Sequence, residues 1–441
     1  MKHIFLTTAM IGAAAATPLL AENRIDGQAS NAPALAAYGD RTVGVREFTF
    51  THQNQLDVET LALNPPADGS IPTYDRELTV EMWYPALQGA TGDTSLDAFI
   101  RDGVTEVSLE GRAVRDAAVT DAPEALPLVL ISHGYPGNRF LLSHLAENLA
   151  SKGYVVASID HEESTYRDQS VFGSTLRNRP LDQLFVLDQI AAINADPTSP
   201  FAGLIDTDNT GLIGYSMGGY GALITAGAGI SPGFIGAAEG VAAFGTPAGT
   251  LDIHLEGSAT HEALPDPRIK TAVAIGPWGR QFGAWTDSAL GNIDIPLLLI
   301  AGSNDIVSQY ETGVRSIWEN ASGTNRSLLT FDGAGHNAAA PIPAPEESFY
   351  FNDTLGFNVS EHYSDPVWDT VFMNNVAQHF TTAWLDVELK GLTEQEVFLD
   401  LTAIGSDGVF SLNADGSFAD DHTYWAGFSE GAAAGLRFER L

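Results

Sequence analysis

From Pro127 onward the chain alternates short continuous apolar runs with segments of helical spacing, and this alternation limits the fold more than any other feature. The runs are LVLIS (128–132), VVASI (155–159), TGLIG (210–214), TAVAI (271–275), PLLLIA (296–301) and SLLTF (327–331). A strand that is apolar at every position has no polar face to offer water, so it belongs inside a parallel sheet covered on both sides. The covering helices are read from LAENLASKG (145–153), LDQLFVLDQIAAIN (181–194), residues 217–228 and VFMNNVAQHFTTAWLDVEL (371–389), the last closed by Lys390 and Gly391. Ahead of Pro127, VGVREFTFT (43–51) and ELTVEMWY (77–84) alternate apolar and polar side chains, the period of half-buried antiparallel strands. The expected class is α/β, with a mostly parallel central sheet, helices on both faces and antiparallel N-terminal strands.

Around this core the sequence divides further. Residues 1–21 carry Lys2, an apolar alanine-rich stretch and small residues at Ala16 and Ala21, the pattern of a signal peptide. Residues 22–42 read as a loose leader, 43–391 as the main domain, and 392–441 as a strand-rich C-terminal appendage. Three stretches rich in Pro, Gly and aromatics, 160–180, 233–267 and 337–368, interrupt the alternation as candidate lids or pocket walls.

Charge and cysteine content exclude several function classes. Against 21 Lys+Arg stand 56 Asp+Glu, a formal charge of −35, which repels phosphate backbones and anionic lipid head groups. Nucleic acid is therefore excluded as a partner. With no cysteine, thiolate catalysis, thiolate metal sites and disulfides are all excluded. After the signal segment no stretch reaches the roughly 18 uninterrupted apolar residues of a spanning helix. The acidic residues Asp415, Asp420 and Asp421 with Asn413 and Gly416 lack a full calcium-loop pattern and read as a turn. No metal or cofactor is expected.

The chemistry is read first at Gly214-Tyr215-Ser216-Met217-Gly218-Gly219, between an apolar strand and a small-residue helix. A nucleophile on a sharp strand-to-helix turn needs small neighbours, because side chains at Gly214 and Gly218 would collide with the adjoining elements. The same turn sets the Met217 N–H at a helix N-terminus, where a free donor can stabilise an oxyanion. The alternative is a glycine turn with an idle serine. A serine hydroxyl needs a base and a group to orient it. Asp305 follows the strand 296–301, and His336 sits in a glycine-flanked loop after 327–331. Asp294 and Asp332 compete less well: one precedes its strand, and the other lies four residues from the histidine. Asp305 could also act only as a helix cap. His52, His254, His261, His362 and His422 read as ordinary histidines.

The loop Ser132-His133-Gly134-Tyr135-Pro136-Gly137-Asn138 follows the first core strand. It offers the Tyr135 N–H as the second oxyanion donor, while His133 reads as a loop brace. Trp278, Trp285 and Tyr310, with the Tyr135 ring, are candidate walls for an acyl or aromatic group, although such aromatics also serve as ordinary core.

Together these residues make the chain resemble the α/β-hydrolase superfamily, and within it the bacterial dienelactone-hydrolase-like branch related to platelet-activating-factor acetylhydrolases. The resemblance is carried by EMWYP (81–85), SHGYPGNR (132–139), LASKGYVVASIDH (149–161), RPLDQLFVLDQI (179–190), IGYSMGGYGAL (213–223) and VAQHFTTAWLDVELKG (376–391), and covers about Val43 to Gly391. It implies a secreted or periplasmic serine carboxylic ester hydrolase without cofactor or metal. Dienelactone hydrolases proper use a cysteine, so their ring opening is not implied. The expected substrates are neutral short-chain or aromatic esters, with polyester and phospholipid acyl groups as further candidates. The rival readings are an amidase or peptidase using the same triad, and a non-catalytic binding protein on a hydrolase scaffold.

Overall fold

The computed structural model describes residues 22–121, 124–239 and 244–441; the signal peptide expected over residues 1–21 lies outside them. Ten strands form the central sheet: β1 (Val43–Leu56), β2 (Thr73–Pro85), β3 (Val114–Arg115), β4 (Leu126–Ser132), β5 (Val155–Asp160), β6 (Ile205–Tyr215), β7 (Ile269–Ile275), β8 (Leu297–Gly302), β9 (Arg326–Phe331) and β10 (Leu436–Arg440). Their lateral order is β10-β9-β8-β7-β6-β4-β5-β2-β1-β3. From β5 through β9 every pairing is parallel, and β2 and β10 join the two sides of this block antiparallel.

The continuous apolar runs are buried on both faces. Val129 and Ile131 of β4, Ile213 of β6 and Val273 of β7 pack with α1 (Ser143–Ser151) and α4 (Thr370–Lys390). Their alternates Leu128, Leu130 and Leu212 pack against α2 (Phe172–Ala195) and α3 (Met217–Thr225). An apolar residue at every position is what a sheet between two helical layers requires. The end of α4 follows the local signal: Gly391 sits left-handed at φ 66°, and Asp369 caps the other end by accepting from the Phe372 N–H.

Three expectations are corrected. The 160–180 insertion is helical from Phe172, and α2 runs through Pro180. A proline removes the donor for the carbonyl four residues back. Here that carbonyl, Leu176 O, accepts from the Tyr220 hydroxyl at 3.1 Å. The leader is docked and not loose: Asn23–Arg24 pairs with Glu106–Glu110, the Ala29 N–H donates to Asn375 Oδ1, and the Leu35 N–H donates to His379 Nδ1. Its polar backbone finds partners that only the folded core presents.

The segment 392–441 has one strand in the central sheet, β10, not a strand-rich unit. Its aromatics join the core instead, with Trp425 1% exposed and its ring 5.8 Å from Phe380. Finally, an unexpected hairpin, Ser95–Phe99 with Glu106–Glu110, packs beside the core strands.

Candidate active site

Ser216 links β6 to α3 with a backbone that few non-glycine residues adopt, φ 52° and ψ −112°. Three hydrogen bonds hold it there. Its N–H donates to Ile275 O at 2.8 Å, and its carbonyl accepts from the Tyr220 N–H at 3.0 Å and the Trp278 N–H at 3.1 Å. The flanking glycines are sterically required. A Cβ on Gly214 would lie 2.3 Å from Gly218 O, and one on Gly218 would lie 1.8 Å from Ser132 O. The turn exists because neither side chain does.

His336 Nε2 lies 2.9 Å from Ser216 Oγ, and His336 Nδ1 lies 2.8 Å from Asp305 Oδ2. Asp305 is at once a cap and an orienting group. Its Oδ1 accepts from the Val307 and Ser308 N–H groups at 2.8 and 2.9 Å, leaving Oδ2 for the imidazole. With Nδ1–H donating to the carboxylate, Nε2 is free to accept the serine proton. Neither competing carboxylate reaches the histidine: Asp332 pairs with Arg437, and Asp294 lies at the opposite end of β8, before its first residue.

The loop after β4 passes close to Ser216, since a Cβ on Gly134 would stand 3.4 Å from Ser216 Cβ. Behind the loop, the buried Arg179 of α2 donates to the carbonyls of His133 and Gly134, the latter at 3.1 Å. Burial pushes its guanidinium down to about 9. His133 braces the same loop, with Nδ1 2.6 Å from Gly134 O and Nε2 accepting from the His161 N–H.

A second serine-histidine-aspartate relay lies nearby. Ser132 Oγ is 2.9 Å from His161 Nε2, and His161 Nδ1 is 2.8 Å from Asp182 Oδ2. Its connectivity is that of a triad, but Ser132 is 0% exposed and His161 and Asp182 are each 1% exposed, so an ester carbonyl has no way in. Burial pushes His161 down to about 3, so it stays neutral. Burial alone would raise Asp182, but the Arg76 charge and hydrogen bonds outweigh it and hold the carboxyl well below its usual range. This relay is an internal brace for the loop that carries Gly134 and Tyr135.

Ser216 and His336 open into a cleft of about 1010 Å³. Of the four aromatics singled out above, Tyr135 and Trp278 line it. Phe172 joins them, 4.9 Å from Tyr135 and 5.5 Å from Trp278 between ring centroids, making one aromatic wall. Trp285 and Tyr310 do not reach it. Trp285 is 1% exposed and donates its indole N–H to Ala228 O, while the buried Tyr310 hydroxyl meets Thr330 Oγ1 of β9. Both follow core strands, but each polar tip finds an interior partner and draws its ring inward.

The 337–368 segment supplies further lining, including Phe357, His362 and Asp365. Asp365 also accepts from the Gly335 N–H at 2.6 Å and so anchors the loop that carries His336. Nothing local to its Ser364-Asp365-Pro366 context signals that role. Among the described residues no group of three or more His, Cys, Asp or Glu is arranged to hold a metal, and Asp415 simply accepts from Ser417 within a turn. No helix among them is long and apolar enough to cross a membrane.

A family model described as PET hydrolase-like matches residues 114–246, which include Tyr135 and Ser216. Cutinase est2 of Thermobifida alba is 25% identical over 211 residues, 48% of this chain and 52% of that protein. Cutinase 2 of Thermobifida cellulosilytica is 26% identical over 211 residues, 48% of this chain and 60% of that protein. The chain is similar to PETase- and cutinase-like α/β-hydrolases. It spans about half the length of the curated relatives it matches. A ferulic acid esterase from Streptomyces cinnamoneus superposes with a TM-score of 0.52 at 20% identity, covering 84% of this chain and 94% of that one, and so shares its fold. That likeness sits at a broader level than the dienelactone-hydrolase-like branch expected from the motifs.

Proposed function

We propose that this chain is a serine carboxylic ester hydrolase working through an acyl-enzyme. Ser216 Oγ attacks the ester carbonyl as His336 Nε2 takes its proton. Asp305 fixes the tautomer and stabilises the imidazolium. The Tyr135 and Met217 N–H groups receive the oxyanion. His336 then protonates the leaving alcohol, and water repeats the sequence to release the acid. The observation that carries this reading is the 2.9 Å contact between Ser216 Oγ and His336 Nε2 at the floor of an open cleft.

The aromatic wall of Tyr135, Phe172 and Trp278 favours an apolar or aromatic group beside the reacting carbonyl. The rim adds Ile306, 83% exposed, and Val307. The proteins similar to this chain are named cutinases and an esterase, which supports ester chemistry over amide chemistry. The narrower kinship with dienelactone-hydrolase-like serine esterases rests on the motifs from Glu81 to Gly391, and export rests on the residues ahead of Glu22.

A panel of p-nitrophenyl esters of increasing acyl length, run beside matched anilides and a phospholipid, tests the proposal. The expected result is Ser216-dependent hydrolysis of the esters with anilides at least ~100-fold slower, since an amine leaves less readily than an alcohol. Equal rates on anilides would favour the amidase reading, and no turnover of any member would favour a binding protein.

A further inference from the structure

Arg101 lines the same cleft with a positive charge that nothing nearby neutralises. The chain holds 56 acidic residues, and among the described residues most arginines grip a carboxylate. Among the described residues Arg101 forms no ion pair and donates no side-chain hydrogen bond, and its Nη1 is shut off from solvent with no partner there. Burial pulls its pKa down, with only the neutral hydroxyls of Tyr166, Tyr363 and Tyr135 to oppose that. Below it lies the Phe357 ring, 5.7 Å from the guanidinium carbon, and beside it His362, whose Nε2 is taken by the Tyr166 hydroxyl. Burial pushes His362 down to about 3, so it brings no second charge.

A half-buried guanidinium without a counter-ion costs folding free energy unless an arriving ligand supplies the missing oxygen atoms. The other carboxylates of the cleft are engaged elsewhere. Asp365 accepts from the Gly335, Val367 and Trp368 N–H groups, and Glu361 accepts from Asn358. Beyond burial, the groups that act on Arg101 are Tyr166, Tyr363 and Tyr135, and neither carboxylate is one of them.

We infer that Arg101 is a specificity residue receiving a free carboxylate on the substrate, so that the cleft is built for esters charged at one end and apolar at the other. The aromatic wall would take the apolar part and the guanidinium the carboxylate, with the scissile carbonyl at Ser216 between them. The net charge of −35 opposes anions at long range, but screening confines that field to about 8–10 Å at ordinary salt, and inside the cleft the local cation dominates. This assignment rests on the hydrolase reading of Ser216.

The test uses two matched pairs: hydrogen 4-nitrophenyl adipate against methyl 4-nitrophenyl adipate, with the charge on the acyl side, and 4-acetoxybenzoate against its methyl ester, with the charge on the alcohol side. In at least one pair, Arg101→Gln should lower the charged-to-neutral ratio of kcat/KM by roughly 10- to 100-fold, with Arg101→Lys in between. Ratios within threefold of wild type in both pairs would overturn the assignment, provided thermal melting shows the variant folded. If Arg101→Gln does not fold, Arg101→Lys against wild type decides on the same ratio. If the wild type hydrolyses none of these esters, the hydrolase reading fails. The Arg101 assignment is then judged separately, by tryptophan-fluorescence titration of Ser216→Ala protein with hydrogen 4-nitrophenyl adipate; binding that Arg101→Gln leaves unchanged overturns it.

Discussion

Ser216 Oγ and His336 Nε2 stand 2.9 Å apart although 120 residues of chain separate them. Adjacent parallel strands bring them together: β6, β7, β8 and β9 are neighbours, and the turns after β6, β8 and β9 open on one edge of the sheet. That edge collects what each crossover delivers.

Two serines sit in triad-like relays, and a covalent probe separates them. Wild-type protein should label with a fluorophosphonate at Ser216 alone, Ser216→Ala should not label, and Ser216→Ala should lose at least ~1000-fold in kcat. Ser132→Ala should label normally, keep kcat/KM within a few-fold and lose about 1 kcal/mol of stability with its hydrogen bond to His161. Mass-spectrometric mapping of the adduct to Ser132 would reverse the assignment.

Asp305→Asn keeps the shape of the side chain but turns an acceptor toward a donor. The imidazole then adopts the tautomer with its proton on Nε2, facing Ser216, and kcat should fall by ~10³ to 10⁴ while KM changes little. The Val307 and Ser308 N–H groups can still donate to the amide oxygen. A melting temperature near that of wild type, measured on the same sample, identifies the loss as chemical and not structural.

The continuity of α2 through Pro180 depends on Tyr220. Tyr220→Phe removes the hydroxyl that satisfies Leu176 O inside the core, with the ring otherwise retained. Urea denaturation should show a loss of about 1–3 kcal/mol, the cost of a buried carbonyl without a donor. A loss under 0.5 kcal/mol would mean the carbonyl finds another partner.

Acid should destabilise the fold well before its carboxylates are all protonated. Burial holds His144, His161, His362 and His379 down to about 3 and His254 down to about 4, against an ordinary 6.5. Below 6.5 the unfolded chain takes up protons at these five sites and the folded protein does not, so the unfolded state is favoured as pH falls. The stability is full above 6.5 and is lost toward 3–4, at about 1.4 kcal/mol per unit per group. Glu162, pushed up to about 7 by burial, binds its proton more tightly when folded and works in the opposite direction between about 4.5 and 7. Glu81, Glu147, Asp160, Glu163 and Glu388, which burial also raises, work the same way, so the histidines act against a partial offset. The melting temperature should therefore drop steeply between pH 6 and 4.5, and calorimetry showing a flat profile there would contradict the buried neutral histidines.

The amino-acid sequence by itself determined the strand-helix rhythm, the glycine-framed turn at Ser216 and the order of Ser216, Asp305 and His336. Each is a local property: an apolar period, a side chain that must be absent, a residue type just past a strand. Only the tertiary structure decided that Trp285 and Tyr310 turn inward, that Asp365 anchors the His336 loop, that the leader is docked and that Arg101 stands uncompensated in the cleft. Those outcomes depend on which segments become lateral neighbours after crossovers of tens of residues, and on whether a polar atom finds a partner once it is there. A period read along the chain carries no information about what lies across from it.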